Sequence, residues 1–148
     1  MMKSVWQPES RSELKERLRT LTPDRRPSWG KMSAPQMVTH LAASLKMALG
    51  ELPVASKRGP LRLPLLKQLI IYVLPWPKGA PTAPELISQA PDEWTAEMDG
   101  LRSLIDRFGN RDIHGPWPQH PAFGRLSGRA WGALVYRHIG HHLQQFGL

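Results

Sequence analysis

The chemistry-bearing pattern of this chain closes it: Trp131-Gly-Ala-Leu-Val-Tyr-Arg-His138-Ile-Gly-His141-His142-Leu-Gln-Gln145-Phe-Gly-Leu148. At about 100° per residue, a helix here gathers Trp131, Leu134, Val135, His138, His141, His142 and Gln145 on one side, within about 60° of His138. The face that should turn inward therefore carries imidazoles. Side chains four residues apart lie one above the other, so His138 and His142 can aim two ring nitrogens at one point, the minimal helical metal chelate. His141 stands about 60° round from His138 and is open to three roles: ligand in place of His142, outer partner, or surface residue. A third ligand must come from elsewhere, and the histidine inside another convincing helical pattern is His40.

Three protein ligands with a position left open is the arrangement of catalytic zinc sites, whereas structural sites are closed by four. A metal so held lowers the pKa of water or of an incoming thiol and polarises a carbonyl. Gln145, one turn beyond His142, is placed to hold a metal-linked water or to orient a ligand. The competing reading is a helix end whose histidines cap carbonyls and meet the dipole. Two features favour the metal: His138 is too far from the terminus for a last-turn role, and three histidines with a glutamine are costly to bury without partners. With no cysteine, and no serine or lysine in a recognisable nucleophile motif, covalent chemistry would need a cofactor.

Residues 10–21 place Leu14, Leu18 and Leu21 at helical spacing among charges, a short amphipathic helix. Residues 22–31, with Pro23, Pro27 and Gly30, form a turn-rich connection in which Trp29 reads as a core plug. Ser33-Ala-Pro-Gln36 has the form of a capping box and opens a helix over 34–49 that Gly50 stops. Its face carries Met37, His40, Leu41, Ser44 and Leu45; taken alone, His40 there reads as a hydrogen-bonded core histidine. Pro64 suits the first turn of a helix over 65–73, although Ile70 to Val73 also suit a strand. Four prolines make 75–84 a semi-rigid surface loop, which 85–91 prolongs.

A helix resumes at Asp92, with acids first, Arg107 last, and Trp94, Met98, Leu101, Leu104, Ile105 and Phe108 on its core face, ending at Gly109. A loop over 110–126 holds His114, Trp117, His120 and Phe123, and Ser127 is the expected N-cap of the last helix. Gly140, opposite His138 on that helix, suggests a close backbone contact with the first helix or a second subunit. Met37, Ser44, Trp131 and His120 are candidates to line a pocket beside the histidines. The sum is an all-α chain: an antiparallel four-helix bundle with a short extra helix and Pro-rich loops, one domain over 1–148, its metal site built from facing helices.

Twenty basic residues against twelve acidic give +8 and a pI near 10.5. No base-reading motif or aromatic-interleaved basic stripe accompanies the charge, so it reads as a solvated basic surface and no nucleic-acid partner is expected. The longest apolar run, 69–74, is too short to span a bilayer, so no membrane partner is expected. The N-terminus has no apolar signal core, which makes a cytoplasmic location the expectation.

The segments Trp29-Gly-Lys-Met-Ser-Ala-Pro-Gln-Met-Val-Thr-His40-Leu and His120-Pro-Ala-Phe-Gly-Arg-Leu-Ser, together with Trp131-Gly, Tyr136-Arg-His138-Ile-Gly-His-His142-Leu-Gln-Gln145-Phe-Gly, resemble a branch of the DinB/YfiT-like superfamily. The resemblance runs from about residue 14 to the end. Members of that superfamily are four-helix bundles with a three-histidine metal site, one histidine late in the second helix and two as His-x-x-x-His in the last, often followed by a glutamine. This implies His40, His138 and His142 as ligands and Gln145 as the following glutamine, and moves His141 to a flanking role. Relatives include thiol-dependent transferases and isomerases and metal-dependent hydrolases. The implied cofactors are a divalent transition metal, zinc or nickel, and a low-molecular-weight thiol; the implied partners are a small-molecule substrate and a second subunit in a homodimer. The His120-Pro-x-Phe-Gly element belongs to the branch and is either a loop at the site mouth or a packed turn. Two functions follow: a metal-dependent enzyme, an S-transferase or hydrolase, or a non-catalytic metal- or ligand-binding or basic interaction module.

Overall fold

The structure is a computed structural model that describes residues 2–79, 82, 86 and 93–148. The described residues form α1 (Pro8–Arg19), α2 (Ala34–Ala48), a 3-10 turn (Pro60–Arg62), α3 (Pro64–Tyr72), α4 (Trp94–Gly109) and α5 (Gly128–Gln145), with no strand among them. The loop expected over 85–91 falls outside the described residues except for Leu86, as does Asp92.

Local chemistry sets the ends of the helices. At α2 both halves of the capping box form, the Ser33 hydroxyl accepting from the Gln36 amide at 3.2 Å and the Gln36 carbonyl from the Ser33 amide at 2.9 Å. Gly50, at φ +80°, lets the chain leave α2 in the left-handed conformation. The Ser127 hydroxyl accepts from the Ala130 amide at 3.1 Å and starts α5. The Glu93 carboxylate caps α4, which runs through Gly109 to a cap at Asn110, one residue further than expected.

Residues 70–72 are helical, so the strand alternative fails there. The Arg137 guanidinium, projecting from α5, donates to the Ile70 carbonyl at 2.7 Å and the Ile71 carbonyl at 3.0 Å, satisfying the end of α3 with a cation where the helix dipole favours one.

In the bundle, α1 packs on α4 and α5, α2 packs on α4 and α5, and α3 lies on α5. Lys15 reaches Asp106 at 2.9 Å while Trp6 stacks on Phe108 at 5.2 Å, so α1 and α4 run antiparallel. His40 meeting His138, with the turn before α2 meeting Gln145, makes α2 and α5 antiparallel as well. The long connection between α2 and α4 lets these two bring their C-terminal ends together, where Arg111 donates to the Leu49 carbonyl. The core between the helices is aliphatic and aromatic, with Leu14, Leu18, Met37, Leu41, Leu45, Leu101, Ile105, Phe108, Trp131 and Ile139 fully buried.

Within the chain, α1 makes no close approach at Gly140. A Cβ on Gly140 would meet only the tip of Arg17, at 4.0 Å. The tight sites are at the other end of α5, where the Trp6 indole donates to the Gly128 carbonyl at 3.0 Å and lies against Gly132, and the Val5 amide donates to the Gly132 carbonyl at 3.2 Å. An indole ring needs a bare backbone to lie against, which places the demand for glycine there.

Candidate metal centre

Three imidazoles converge where α2 crosses α5. The His40 ring lies 5.0 Å from that of His138 and 4.8 Å from that of His142, and the latter two are 4.8 Å apart. One ligand nitrogen from each falls within 4.8 Å of the others, so the three could hold a metal ion. His40 is 2% exposed, whereas His138 and His142 keep partial exposure. Each ring arrives by helix geometry: α2 presents His40 from its apolar stripe, and the i, i+4 spacing stacks the α5 pair.

The outer hydrogen bonds decide which nitrogens face inward. His40 Nδ1 lies 2.8 Å from the Leu86 carbonyl, which can only accept, so Nδ1 carries the proton and Nε2 presents its lone pair. The Gln145 amide donates through Nε2 to the Trp29 carbonyl at 3.0 Å, which turns its Oε1 toward His142 Nδ1 at 2.8 Å. His142 is thereby fixed in the same tautomer, its Nε2 lone pair available. His40 Nε2 and His138 Nε2 are 3.1 Å apart, a spacing consistent with two nitrogens about 2.0–2.1 Å from one shared ion. Imidazoles oriented through their far nitrogens by a carbonyl and a carboxamide are what a divalent transition metal requires, and the donor set fits one.

Gln145 is buried, and its position depends on Gly30. That glycine has φ +82°, and a Cβ there would stand 2.7 Å from Gln145 Nε2. Substituting Gln145 with leucine leaves His142 Nδ1 without its acceptor. We expect metal affinity to fall about 10- to 100-fold in Gln145→Leu and in Gly30→Ala, read by competition with a chromogenic chelator. Wild-type affinity in both variants would show that this outer contact does not orient His142.

Burial disfavours the charged form of every ring in the cluster. It lowers His40 and drives His138 well below the ordinary histidine value, the neighbouring His142 and His40 adding to the effect at His138. His142 is pushed down to about 4 by burial and then by His40, against the opposing hydrogen bond from Gln145. His120 is likewise pushed down to about 4, by burial and then by the Arg62 guanidinium. The cluster is thus neutral and ready to ligate at neutral pH.

An unfolded chain takes up protons on His142 and His120 near pH 6.5 and the folded chain only near 4, so the folded state holds fewer protons between those values. Stability of the metal-free protein is therefore full above about pH 6.5 and declines as the pH falls toward 4. Each ring contributes at most about 3 kcal/mol, reduced by solvent screening at these half-buried groups. Thermal melts in chelator should show a lower Tm at about pH 5 than at about pH 7.5; equal values would contradict the depressed pKa values.

His141 stays outside the convergent set. Its ring sits against Trp29 at 5.9 Å and Trp76 at 5.8 Å. His120 lies in the loop before α5, packed on Trp131 at 5.3 Å and Phe123 at 4.8 Å, with Nδ1 accepting from the Ala122 and Phe123 amides. It holds a turn, closed by the paired amides and carbonyls of His120 and Gly124. Met37 and Trp131 are fully buried among core side chains, Trp131 donating to the Pro118 carbonyl at 3.1 Å, and the Ser44 hydroxyl donates to the His40 carbonyl one turn back.

Trp29 departs from the expected core plug. It is half-buried, its carbonyl anchors Gln145, and Lys78 stands over its ring at 4.6 Å. Trp76, read only as part of a proline-rich loop, lies 6.1 Å from His138, with the Arg137 guanidinium over its ring at 5.3 Å. The aromatic type of these residues was a signal; Leu86 offered none, since it acts through its backbone carbonyl.

No curated protein and no solved structure matches the chain. A match to the DinB superfamily covers residues 9–146, taking in α2 to α5, almost all of α1, the histidine cluster and Gln145. With that extent, and an all-helical bundle to match, the chain belongs to the DinB superfamily.

Proposed function

We propose that this protein is a metal-dependent enzyme in which His40, His138 and His142 hold a divalent transition metal, zinc or nickel, for S-transfer or hydrolysis on a small molecule. The observation that carries this reading is the pair of fixed tautomers: Leu86 and Gln145 engage the far nitrogens and leave Nε2 lone pairs of His40 and His142 facing His138. Without an ion, that orientation serves the 3.1 Å contact between His40 Nε2 and His138 Nε2; with one, it turns the lone pairs of His40 and His142 toward a shared centre. The ion, when bound, would supply Lewis acidity and a lowered pKa to a water or a low-molecular-weight thiol.

The chain's own residues do the rest. His40, anchored at both ends of its ring, fixes one ligand direction, and Gln145 fixes another. Trp76 packs beside His138 and His141, and Trp29 beside His141, so the two indoles border the cluster on the α5 side. Arg137 is committed to the carbonyls ending α3 and so shapes this wall rather than pairing with a substrate anion. Among the described residues no fourth histidine, cysteine or carboxylate joins the three, which fits an open catalytic position better than a closed structural one.

The test is metal content of the purified protein, followed by thiol-consumption and ester- or amide-hydrolysis assays of the zinc- and nickel-loaded forms. Stoichiometric metal with turnover that chelation removes supports the enzyme. Stoichiometric metal without turnover across the panel supports a non-catalytic metal-binding module instead, and absence of binding overturns both.

A further inference from the structure

The excess charge of this protein has a single origin. Residues 52–79 and 113–148 contain Lys57, Arg58, Arg62, Lys67, Lys78, Arg125, Arg129 and Arg137 and no aspartate or glutamate; the twelve bases and twelve acids elsewhere cancel, so these two segments account for the whole +8. The fold puts them side by side. Helix α3 packs on α5, Lys67 donates to the Arg125 carbonyl at 2.9 Å, and Arg129 lies near enough to Tyr72 to favour its ionised form, against the larger effect of burial. Arg62, Lys67 and Arg137 are engaged with carbonyls, while Lys57, Arg58, Arg125 and Arg129 are exposed.

Around α3, Leu65 and the flanking Leu63, Val73 and Leu74 stand in water, whereas Ile71 is buried and Ile70 packs partly against the core. Only Ile71 of this helix is buried, and Leu63, Leu65, Val73 and Leu74 are 58%, 75%, 67% and 41% exposed. These are four of the five large apolar residues exposed among the described residues, and they all belong to α3 and its ends. Exposed aliphatic side chains gathered on one short helix and its ends, beside segments that carry one sign of charge, mark an interaction surface.

We propose that the α3–α5 face docks on an anionic lipid surface, with Leu63, Leu65, Val73 and Leu74 entering the headgroup boundary and Arg58, Arg125 and Arg129 meeting lipid phosphates. Both halves of the pattern are then used: aliphatic side chains leave water, and the basic rim meets opposite charge. A second copy is disfavoured because a two-fold pairing sets the same acid-free rim against itself. Nucleic acid would answer the charge but give four aliphatic side chains nothing to bury against. No described helix is long and apolar enough to cross a membrane, so the attachment lies in the interface. Trp76, just beyond α3, contacts His138 and His141, so the docking face borders the histidine cluster.

The test is co-sedimentation of the full chain with vesicles of phosphatidylcholine containing phosphatidylglycerol, and with vesicles of phosphatidylcholine alone. The anionic vesicles should bind the protein at least about tenfold more tightly, and added salt should weaken that binding. Leu65→Asp/Val73→Asp and Arg125→Glu/Arg129→Glu should each weaken it by about tenfold or more, with melting temperatures unchanged because all four side chains are exposed. The milder pair Leu65→Ser/Val73→Thr serves if the aspartates disturb folding, and should show the same direction. Absence of vesicle binding overturns the proposal, as does binding that the apolar variants leave unmoved. A dimer that Leu65→Asp/Val73→Asp dissolves, with no vesicle binding, would make a second copy the occupant. Salt-steep binding to duplex DNA that only the arginine reversals abolish would make it nucleic acid.

Discussion

Alanine in place of His40 or His142 is expected to weaken zinc or nickel binding by about 10²- to 10³-fold, because a whole site of this kind is worth about 10–16 kcal/mol and each ligand holds a few of them. His141→Ala should bind with the wild-type constant, since that ring packs between Trp29 and Trp76 and lies outside the convergent set. Competition titration against a chelator of known affinity separates the three. The same variants carry a thermal signature. Metal at about a hundredfold above Kd stabilises a folded binder by about 2.7 kcal/mol, which for a chain of this size raises Tm by about 5–10 °C. That rise should vanish in His40→Ala and His142→Ala and persist in His141→Ala. Loss of metal in His141→Ala with retention in His142→Ala would overturn the assignment and make His138 and His141 the α5 pair. The metal-free His40→Ala protein should itself melt lower, because the Leu86 carbonyl loses its donor, a loss of about 1–3 kcal/mol.

The largest effect on stability alone is expected at the start of α5. A Cβ on Gly128 would lie 2.0 Å from the Ile113 carbonyl oxygen and 2.6 Å from the Trp117 indole nitrogen. The first obstacle is backbone, and the second is a ring packed at 5.1 Å on Phe108 and at 5.6 Å on Trp6. Neither can yield without displacing the aromatic cluster that joins α1, α4 and the loop before α5. Gly132→Ala meets Trp6, whose indole nitrogen would be 2.1 Å away. Each substitution should cost about 2–4 kcal/mol or more, lowering Tm by about 5–15 °C in thermal melts of the metal-free protein. Gly140→Ala, eight residues further along the same helix as Gly132, should do the opposite. With only the Arg17 tip at 4.0 Å, an alanine gains helix propensity of about 0.5–1 kcal/mol. A wild-type melt for Gly128→Ala, or a destabilised Gly140→Ala, would refute this account of α5.

The helices were legible because their signals are local. Leu14 and Leu18, the α4 series from Trp94 to Phe108, and the caps at Ser33 and Ser127 each lie within a few residues of the turn they specify. The strand alternative at 70–73 failed because what ends α3 as a helix is Arg137, far along the chain. Gly140 shows the same limit: within the chain α1 leaves it open, and the close indole contact of Trp6 falls on Gly132.

The chain's charge shows the division again. The two acid-free stretches can be read from the string, yet a tally over longer blocks dilutes them with acids that the fold keeps elsewhere. Only the packing of α3 on α5 makes one basic face of them, and only exposure shows that the leucines of α3 are not core.

By itself the sequence determined a mainly helical chain whose last helix sets His138, His141 and His142 on one face, because helical periodicity and the reach of adjacent turns are properties of neighbouring residues; the choice of His142 over His141 beside His40 came from the family resemblance. The tertiary structure decided that His40, His138 and His142 converge, that Leu86, and Trp29 through Gln145, choose the nitrogens facing inward, and that Trp29 and Trp76 pack beside His138 and His141. The Leu86 and Trp29 carbonyls lie 46 and 116 positions from the side chains they hold, which no local spacing encodes, whereas Gln145 reaches His142 within one turn.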